Sequence, residues 1–368
     1  MFVSIIIFIL ILSLLIFVHE LGHFVFAKMT GVKVEEFAIG FPPRIWEKQK
    51  GETLYSIGAI PFGGFNKLYG ETSEVAQDKD RSFSGKPVRV RALISFGGVL
   101  FNVLLATVIF YFILSSSGFQ TKQFLIYDFK FPFGQQENFI ATGAVVKNSP
   151  AEIAGIEPRD LILQVNGKEF KNTSEFIEFI QEKKGKEINL VLRNAITNEN
   201  KNINIVPRIE YPDNQGPLGV SLGNIAQVSY VSPANKIFSG FLHSANISVY
   251  SFSGLAYFIK ESFQEKNIAP LASSVSGPVG IFSLVDTASK MGFATLMNLT
   301  AVISLALAMF NILPIPALDG GKLVFLAIEA VARKPVPQKI EENITMFFFG
   351  LLILMMLAAT FNDLHRFF

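Results

Sequence analysis

The sequence predicts a polytopic α-helical membrane protein: four transmembrane helices, with one polar α/β domain between the second and the third. Three observations predict it. Half of the 368 residues are hydrophobic and only 17% are charged, with a mean hydropathy of +0.41. The apolar residues gather in four runs, each close to the ~20 residues that span a bilayer core. One long polar stretch, residues 117 to 292, separates the second run from the third. A net charge of +2 gives no basic footprint, so no nucleic-acid partner is expected. Cysteine is absent, so any metal must be held by His and carboxylates.

The first run, residues 1–18, is broken only by Ser4 and Ser13. It lacks the basic start and small-residue cleavage site of a secretory leader and reads as a retained span. Residues 32–70 alternate apolar with polar or small residues around Gly and Pro, the pattern of a short β-hairpin region. The second span covers residues 92–114 and opens with "ALISFGGVLFN", whose small residues suit close helix packing. Residues 142–170 read as strand, short helix, strand and turn. "FIEFIQEKKG" follows as a helix, and "EINLVLRN" and "KNINIVPR" follow as strands. Between residues 231 and 292, Ile237, Phe238, Phe241, Ala245, Phe252, Leu255 and Ile259 fall at helical spacing. They predict amphipathic helices on the outer leaflet or against the spans. His243 there reads as a surface or packing histidine, and His365 lies beyond the last span. The third span runs over residues 293–318 and the fourth over 345–361.

Lys and Arg set the orientation. Eight flank the segment between spans one and two: Lys28, Lys33, Arg44, Lys79, Arg81, Lys86, Arg89 and Arg91. The long segment between spans two and three offers Lys122, Lys130 and Lys290, and the loop before span four adds Arg333, Lys334 and Lys339. Both termini and the polar domain are therefore expected outside, with the basic loops in the cytoplasm.

The chemistry sits where the first span meets that cytoplasmic side. "HELGH" is HExxH, and on a helix His19 and His23 share a face and can chelate one ion. Glu20 is then in reach of a metal-activated water as general base. HExxH arises by chance in many helices, but ionisable groups at membrane depth are costly and tend to be functional. At the same depth the third span carries "MFNILPIPALDGGKLVF", with Asp319 after a break at Pro314 and Pro316. Unpaired backbone in a membrane is tolerated only where it lines protein or a wet cavity, so the break reads as a site wall. On its own, Asp319 would read better as a helix-boundary aspartate; with HELGH at matching depth it reads as part of the site.

"HELGHF" in the first span together with "NILPIPALDGG" in the third resembles the site-2 protease family of intramembrane zinc metalloproteases, most closely its bacterial RseP-type branch. The resemblance implies one zinc held by His19, His23 and Asp319, with Glu20 as catalytic base. It implies that Asn311 binds substrate backbone and that residues 32–70 form a β-loop re-entering the membrane. Gly63 and Gly64 there would let a substrate backbone approach. "FGGVLFN" is similar to a family motif ending at Asn102, though Gly98 stands where the family has Pro. Asn102 joins Asn311, Gly63 and Gly64 as candidate substrate-binding residues.

Residues 139–208 resemble a bacterial periplasmic PDZ domain, with Arg159 where the family has Gly. "SPAN" at 232–235 echoes "SPAE" at 149–152, but nothing after it matches, so a single copy is expected. The domain order expected is 1–117 (spans one and two), 118–230 (PDZ region), 231–292 (amphipathic helices) and 293–368 (spans three and four).

The function implied is an intramembrane endopeptidase of the bacterial inner membrane, cutting single-span proteins such as anti-sigma factors or remnant signal peptides. A site-1-type protease would make a first cut, and membrane lipid is the other partner. Two further classes stay open: a non-proteolytic PDZ adaptor, against which the intact HExxH and Asp319 stand, and a membrane-anchored zincin acting on soluble or misfolded proteins. His and Asp ligands also do not select zinc strongly over other divalent ions.

Overall fold

The computed structural model describes residues 2–71, 78–170, 172–194, 199–213, 215–268 and 276–367. The chain divides into two compact units, Met1–Ile113 with His243–Phe368, and Leu114–Leu242. Among the described residues, four helices are long and apolar enough to cross a membrane: Phe2–Met29, Val88–Ser116, Phe293–Asn311 and Gln338–His365.

Helix α1 (Phe2–Met29) runs eleven residues past the expected end at 18, so HExxH lies inside the helix. Gly22 does not break the helix; the stop comes at Gly31, whose φ of 75° suits glycine. There Val32 N–H caps the Ala27 carbonyl at 2.9 Å and ends the helix.

The expected hairpin is β1 (Val34–Lys50) and β2 (Thr53–Leu68). Glu36–Ile39 pair with Leu54–Ile57 on one side and with Gly64–Lys67 on the other. The ribbon is thus folded back on itself, bending at Gly40 (φ 81°) and Gly63 (φ 111°). Lys28, at 2.8 Å, and Arg81 both donate to Glu52 at its turn. These two hydrogen bonds hold the Glu52 carboxyl below the usual carboxylate range. Helix α2 (Val88–Ser116) contains the expected second span. It crosses α1 where Gly22 and Gly97 meet backbone to backbone.

The second unit is a six-stranded sheet in the order β3-β8-β4-β5-β6-β7. Its elements are β3 (Gln120–Leu125), β4 (Gln135–Val145), α3 (Pro150–Ile153), β5 (Asp160–Val165), α4 (Thr173–Glu182), β6 (Ile188–Asn194), β7 (Asn200–Ile205), β8 (Val220–Ser229) and α5 (Pro233–Ile237). All three helix starts are capped by side chains: Ser149 accepts from Glu152 N–H, Asn172 from Glu175 N–H and Ser232 from Asn235 N–H. The core is Ile162, Val165, Phe176, Ile180, Leu190 and Leu192. Every element read between 142 and 208 is present, but the sheet does not end at 208. β8 inserts between β3 and β4 and pairs with both.

Arg159 sits at φ 76°, in the left-handed region. The turn keeps a glycine-type backbone although its residue is Arg. Left-handed backbone costs an L-residue ~1–2 kcal/mol, so Arg159→Gly is expected to raise the melting temperature of the protein by a few degrees. An unchanged or lower melting temperature would contradict that.

The chain continues as α6 (Ser239–Glu265), α7 (Pro278–Met291), α8 (Phe293–Asn311), α9 (Asp319–Ala332) and α10 (Gln338–Phe367). Along α6 the expected apolar face is outward: Phe252, Leu255 and Ile259 are exposed, whereas His243, Ser244 and Asn246 are buried. That polarity is the reverse of a soluble helix and suits lipid outside. His243 is a packing histidine, its ring edge-on to Phe110 at 4.7 Å. The third span is shorter than expected. It stops at Asn311, and Asp319 opens a separate helix. Ile11 and Leu15 of α1 pack with Val285 of α7 and, among others, Leu299 and Ile303 of α8, bringing the two motif-bearing helices side by side.

Candidate metal centre and catalytic site

On α1, the i and i+4 spacing puts the His19 and His23 rings edge to face, with their Nε2 atoms 3.3 Å apart. Asp319 Oδ2 lies 3.2 Å from His19 Nε2 and 3.3 Å from His23 Nε2. Pro314 and Pro316 stop α8 from continuing, and the chain turns through Ile315 and Leu318 before α9 begins at Asp319. Glycine is required just after it. A Cβ on Gly320 would stand 2.2 Å from the Leu313 carbonyl, and one on Gly321 2.2 Å from that of Ile315. The "LDGG" sequence is thus what lets the broken segment fold against the start of α9 and aim Asp319 at the histidines.

Three donors at mutual distances of 3.2–3.3 Å match the edges of a tetrahedron whose centre is ~2.0 Å from each corner, the bond length zinc takes to N and O. Asp319 Oδ2 is buried and has no hydrogen-bond donor, which a cation would satisfy. Among the described residues, His19, His23 and Asp319 form the group that can hold a metal ion. The set fits zinc.

Glu20 stands beside them. Its Oε2 accepts from Asn66 Nδ2 at 2.7 Å, and the same nitrogen donates to the Glu20 carbonyl at 2.8 Å. Gly64 brings strand β2 against it, since a Cβ there would touch Glu20 Cγ at 3.1 Å. A cavity of about 210 Å³ is lined by His19, Glu20, His23, Gly64, Asn66 and Asp319, among others.

From α2, Gly98 lies under both rings: a Cβ would meet His23 Nε2 at 2.5 Å and His19 Cε1 at 2.6 Å. This chain's departure at Gly98 therefore sits against the metal centre. His23 Nδ1 is 2.8 Å from the Ile94 carbonyl, also on α2. An N–H there leaves Nε2 free for the metal.

Of the four candidate substrate-binding residues, Gly64 alone lines this cavity. Gly63 is one residue off, held against the Phe41 ring. Asn311 turns back on its own helix, donating to the Leu307 carbonyl at 3.0 Å. Asn102 is fully buried behind His19 rather than on the cavity wall. Asn66 is the site residue that sequence reasoning missed, because an asparagine in a strand carries no motif. Its signal was position: two residues after a Gly-Gly pair in the ribbon beside HExxH. Asn66→Leu is expected to cut kcat roughly tenfold, the loss of one charge-assisted hydrogen bond of ~1.5 kcal/mol, with zinc content unchanged. Unaltered kcat would remove Asn66 from the site.

Peptidase family M50 matches residues 7–356 of the chain. A Clostridium perfringens chain whose name places it among zinc metalloproteases is 34% identical over 352 residues, covering 96% of each chain. Zinc metalloprotease RasP of Oceanobacillus iheyensis is 26% identical, with 99% of each covered. Regulator of sigma-W protease RasP of Bacillus subtilis is 25% identical over the whole of both. Among solved structures, the PDZ domain of an SdrC-like protein from Listeria monocytogenes covers 23% of this chain at 24% identity, with a TM-score of 0.20. That likeness is too slight to define the domain.

Proposed function

The chain belongs to peptidase family M50 and is a multi-pass membrane zinc metalloprotease, and from that premise we propose that it cuts single-span membrane proteins within their apolar segments. The observation that carries this is the position of the cluster. His19, His23 and Asp319 converge in the unit that holds the four helices long and apolar enough to cross a membrane. The Asp319 ligand comes from the break after the third span, which favours this reading over a membrane-anchored zincin.

His19 Nε2, His23 Nε2 and Asp319 Oδ2 would hold the ion. When bound, zinc polarises the scissile carbonyl and lowers the pKa of its water. Glu20 takes a proton from the attacking water as its oxygen bonds to the carbonyl carbon. As the C–N bond breaks, Glu20 gives that proton to the leaving nitrogen. Asn66 fixes the carboxylate in place. A transmembrane helix must unwind before attack. The strand segment at Gly64–Asn66, which lines the cavity, offers backbone for the unwound stretch to pair with.

The Lys and Arg count supports termini and the 114–242 unit on the outer side of a bacterial inner membrane, with the basic loops in the cytoplasm. We read that unit as a PDZ domain acting as a size filter, so that substrates need prior trimming by a first protease. Filtering is favoured because β8 is flanked by β3 and β4, which leaves Asn224–Ser229 no edge for an added peptide. By its name, the Bacillus subtilis relative is a regulator of sigma-W, and an anti-sigma factor is accordingly the substrate class favoured.

The test is to map, by mass spectrometry, the cut that purified protein makes in a tagged single-span substrate. A cut inside the apolar segment, faster when the outer domain is shortened, is expected. A cut confined to the soluble flank would favour the anchored zincin.

A further inference from the structure

We propose that Asn102 is a positioning residue that orients His19 by accepting a hydrogen bond from its Nδ1. This rests on His19 being a metal ligand. A neutral imidazole carries one N–H, so if Nε2 points its lone pair at an ion, Nδ1 must bear the hydrogen and needs an acceptor. His23 has one in the Ile94 carbonyl, 2.8 Å away on α2. The group facing His19 Nδ1 is the Asn102 side chain, two helical turns further along the same helix, with Nδ2 at 3.4 Å. That contact sets an amide N–H against a ring N–H. The other end of the same amide, Oδ1, is buried without any donor.

Half a turn of the amide exchanges its two ends without moving the rest of the side chain. Oδ1 then accepts from His19 Nδ1–H, which removes the clash of donors and satisfies the orphan oxygen in one step. Asn102 can hold this pose because it is wholly enclosed, and because Ser304 of α8 donates to its backbone carbonyl at 2.8 Å. Gly98, one turn earlier, leaves no side chain between amide and ring. Helix α2 therefore serves both histidines, one through a backbone carbonyl and one through a side chain. Outer partners of this kind set ring orientation and metal affinity.

The test compares wild type with Asn102→Leu and Asn102→Ala, which lack an acceptor, and Asn102→Asp, which keeps one. Two readouts are used on the full chain in detergent: zinc retained against a graded chelator, and the visible spectrum after cobalt replaces zinc. Leu and Ala are expected to lower zinc affinity by roughly 10–100-fold and shift the cobalt bands, with Asp restoring both. Zinc retention and spectra unchanged in Leu and Ala would overturn the proposal. So would equal losses in Asp and Ala, which would make amide shape, not acceptance, the requirement. A wild-type chain that retains no zinc and is unaffected by His19→Ala would instead overturn the metal centre, and this proposal with it.

Discussion

Asp319→Ala is expected to leave the protein folded and without zinc, its metal content falling from one ion per chain to background. Asp319 Oδ2 is the third corner of a cluster whose other two are 3.2 and 3.3 Å away. Catalytic zinc sites keep three protein ligands, and two imidazoles one turn apart on a single helix hold an ion far more weakly. Proteolysis should fall by at least roughly a thousandfold, since both carbonyl polarisation and water activation go with the metal. Asp319→Asn, which keeps an oxygen but loses the charge, should retain part of the zinc. Inductively coupled plasma measurement on the purified variants decides it. Full zinc in Asp319→Ala would place the third ligand elsewhere, as in an anchored zincin.

Gly22→Ala should force the two helices that carry the site apart. Its Cβ would fall 2.1 Å from the Gly97 carbonyl oxygen and 2.9 Å from the Gly98 nitrogen, all backbone. No rotamer change relieves that, so α1 and α2 must move apart. Overpacking of this kind typically costs ~1–3 kcal/mol. Here it also pulls His23 Nδ1 from the Ile94 carbonyl, so zinc affinity should fall with stability. Gly350→Ala is the control, because nothing stands within 4 Å of its Cβ position. It should be neutral or stabilising by up to ~1 kcal/mol, the helix propensity gain. Thermal unfolding of both variants in detergent gives the answer, and equal behaviour would mean the helices cross elsewhere.

The spans were legible because apolar runs of that length have few other uses. Their ends were not, since α1 carries on through polar residues that the hydropathy pattern reads as a boundary. HExxH offered two candidate ligands by helical spacing alone, and the family resemblance pointed to Asp319 as the third. What neither could give was the packing that joins them. Gly22 against Gly97, and Gly320 against Leu313, are single contacts between segments far apart in sequence or separated by a break. Asn66 is beyond any local pattern for the same reason. It reaches Glu20 across 46 positions, through a ribbon whose strand pairs on both edges over Glu36–Ile39. β8 escaped because Gly223 and Asn224 break its alternation and its partners lie about 100 and 85 residues earlier. Asn102 was legible as a motif residue, but its direction was not. Only the fold turns it from the cavity towards His19.

Glu20→Gln most directly tests the central claim that this chain is a zinc protease whose reaction runs through the HExxH helix. The variant is nearly isosteric and Glu20 stands outside the candidate ligand cluster, so it should bind one zinc per chain like wild type. Its cleavage of a tagged single-span substrate in detergent should be abolished, because a carboxamide cannot take the proton. Cleavage at the wild-type rate, with zinc equally bound in both, would contradict the account.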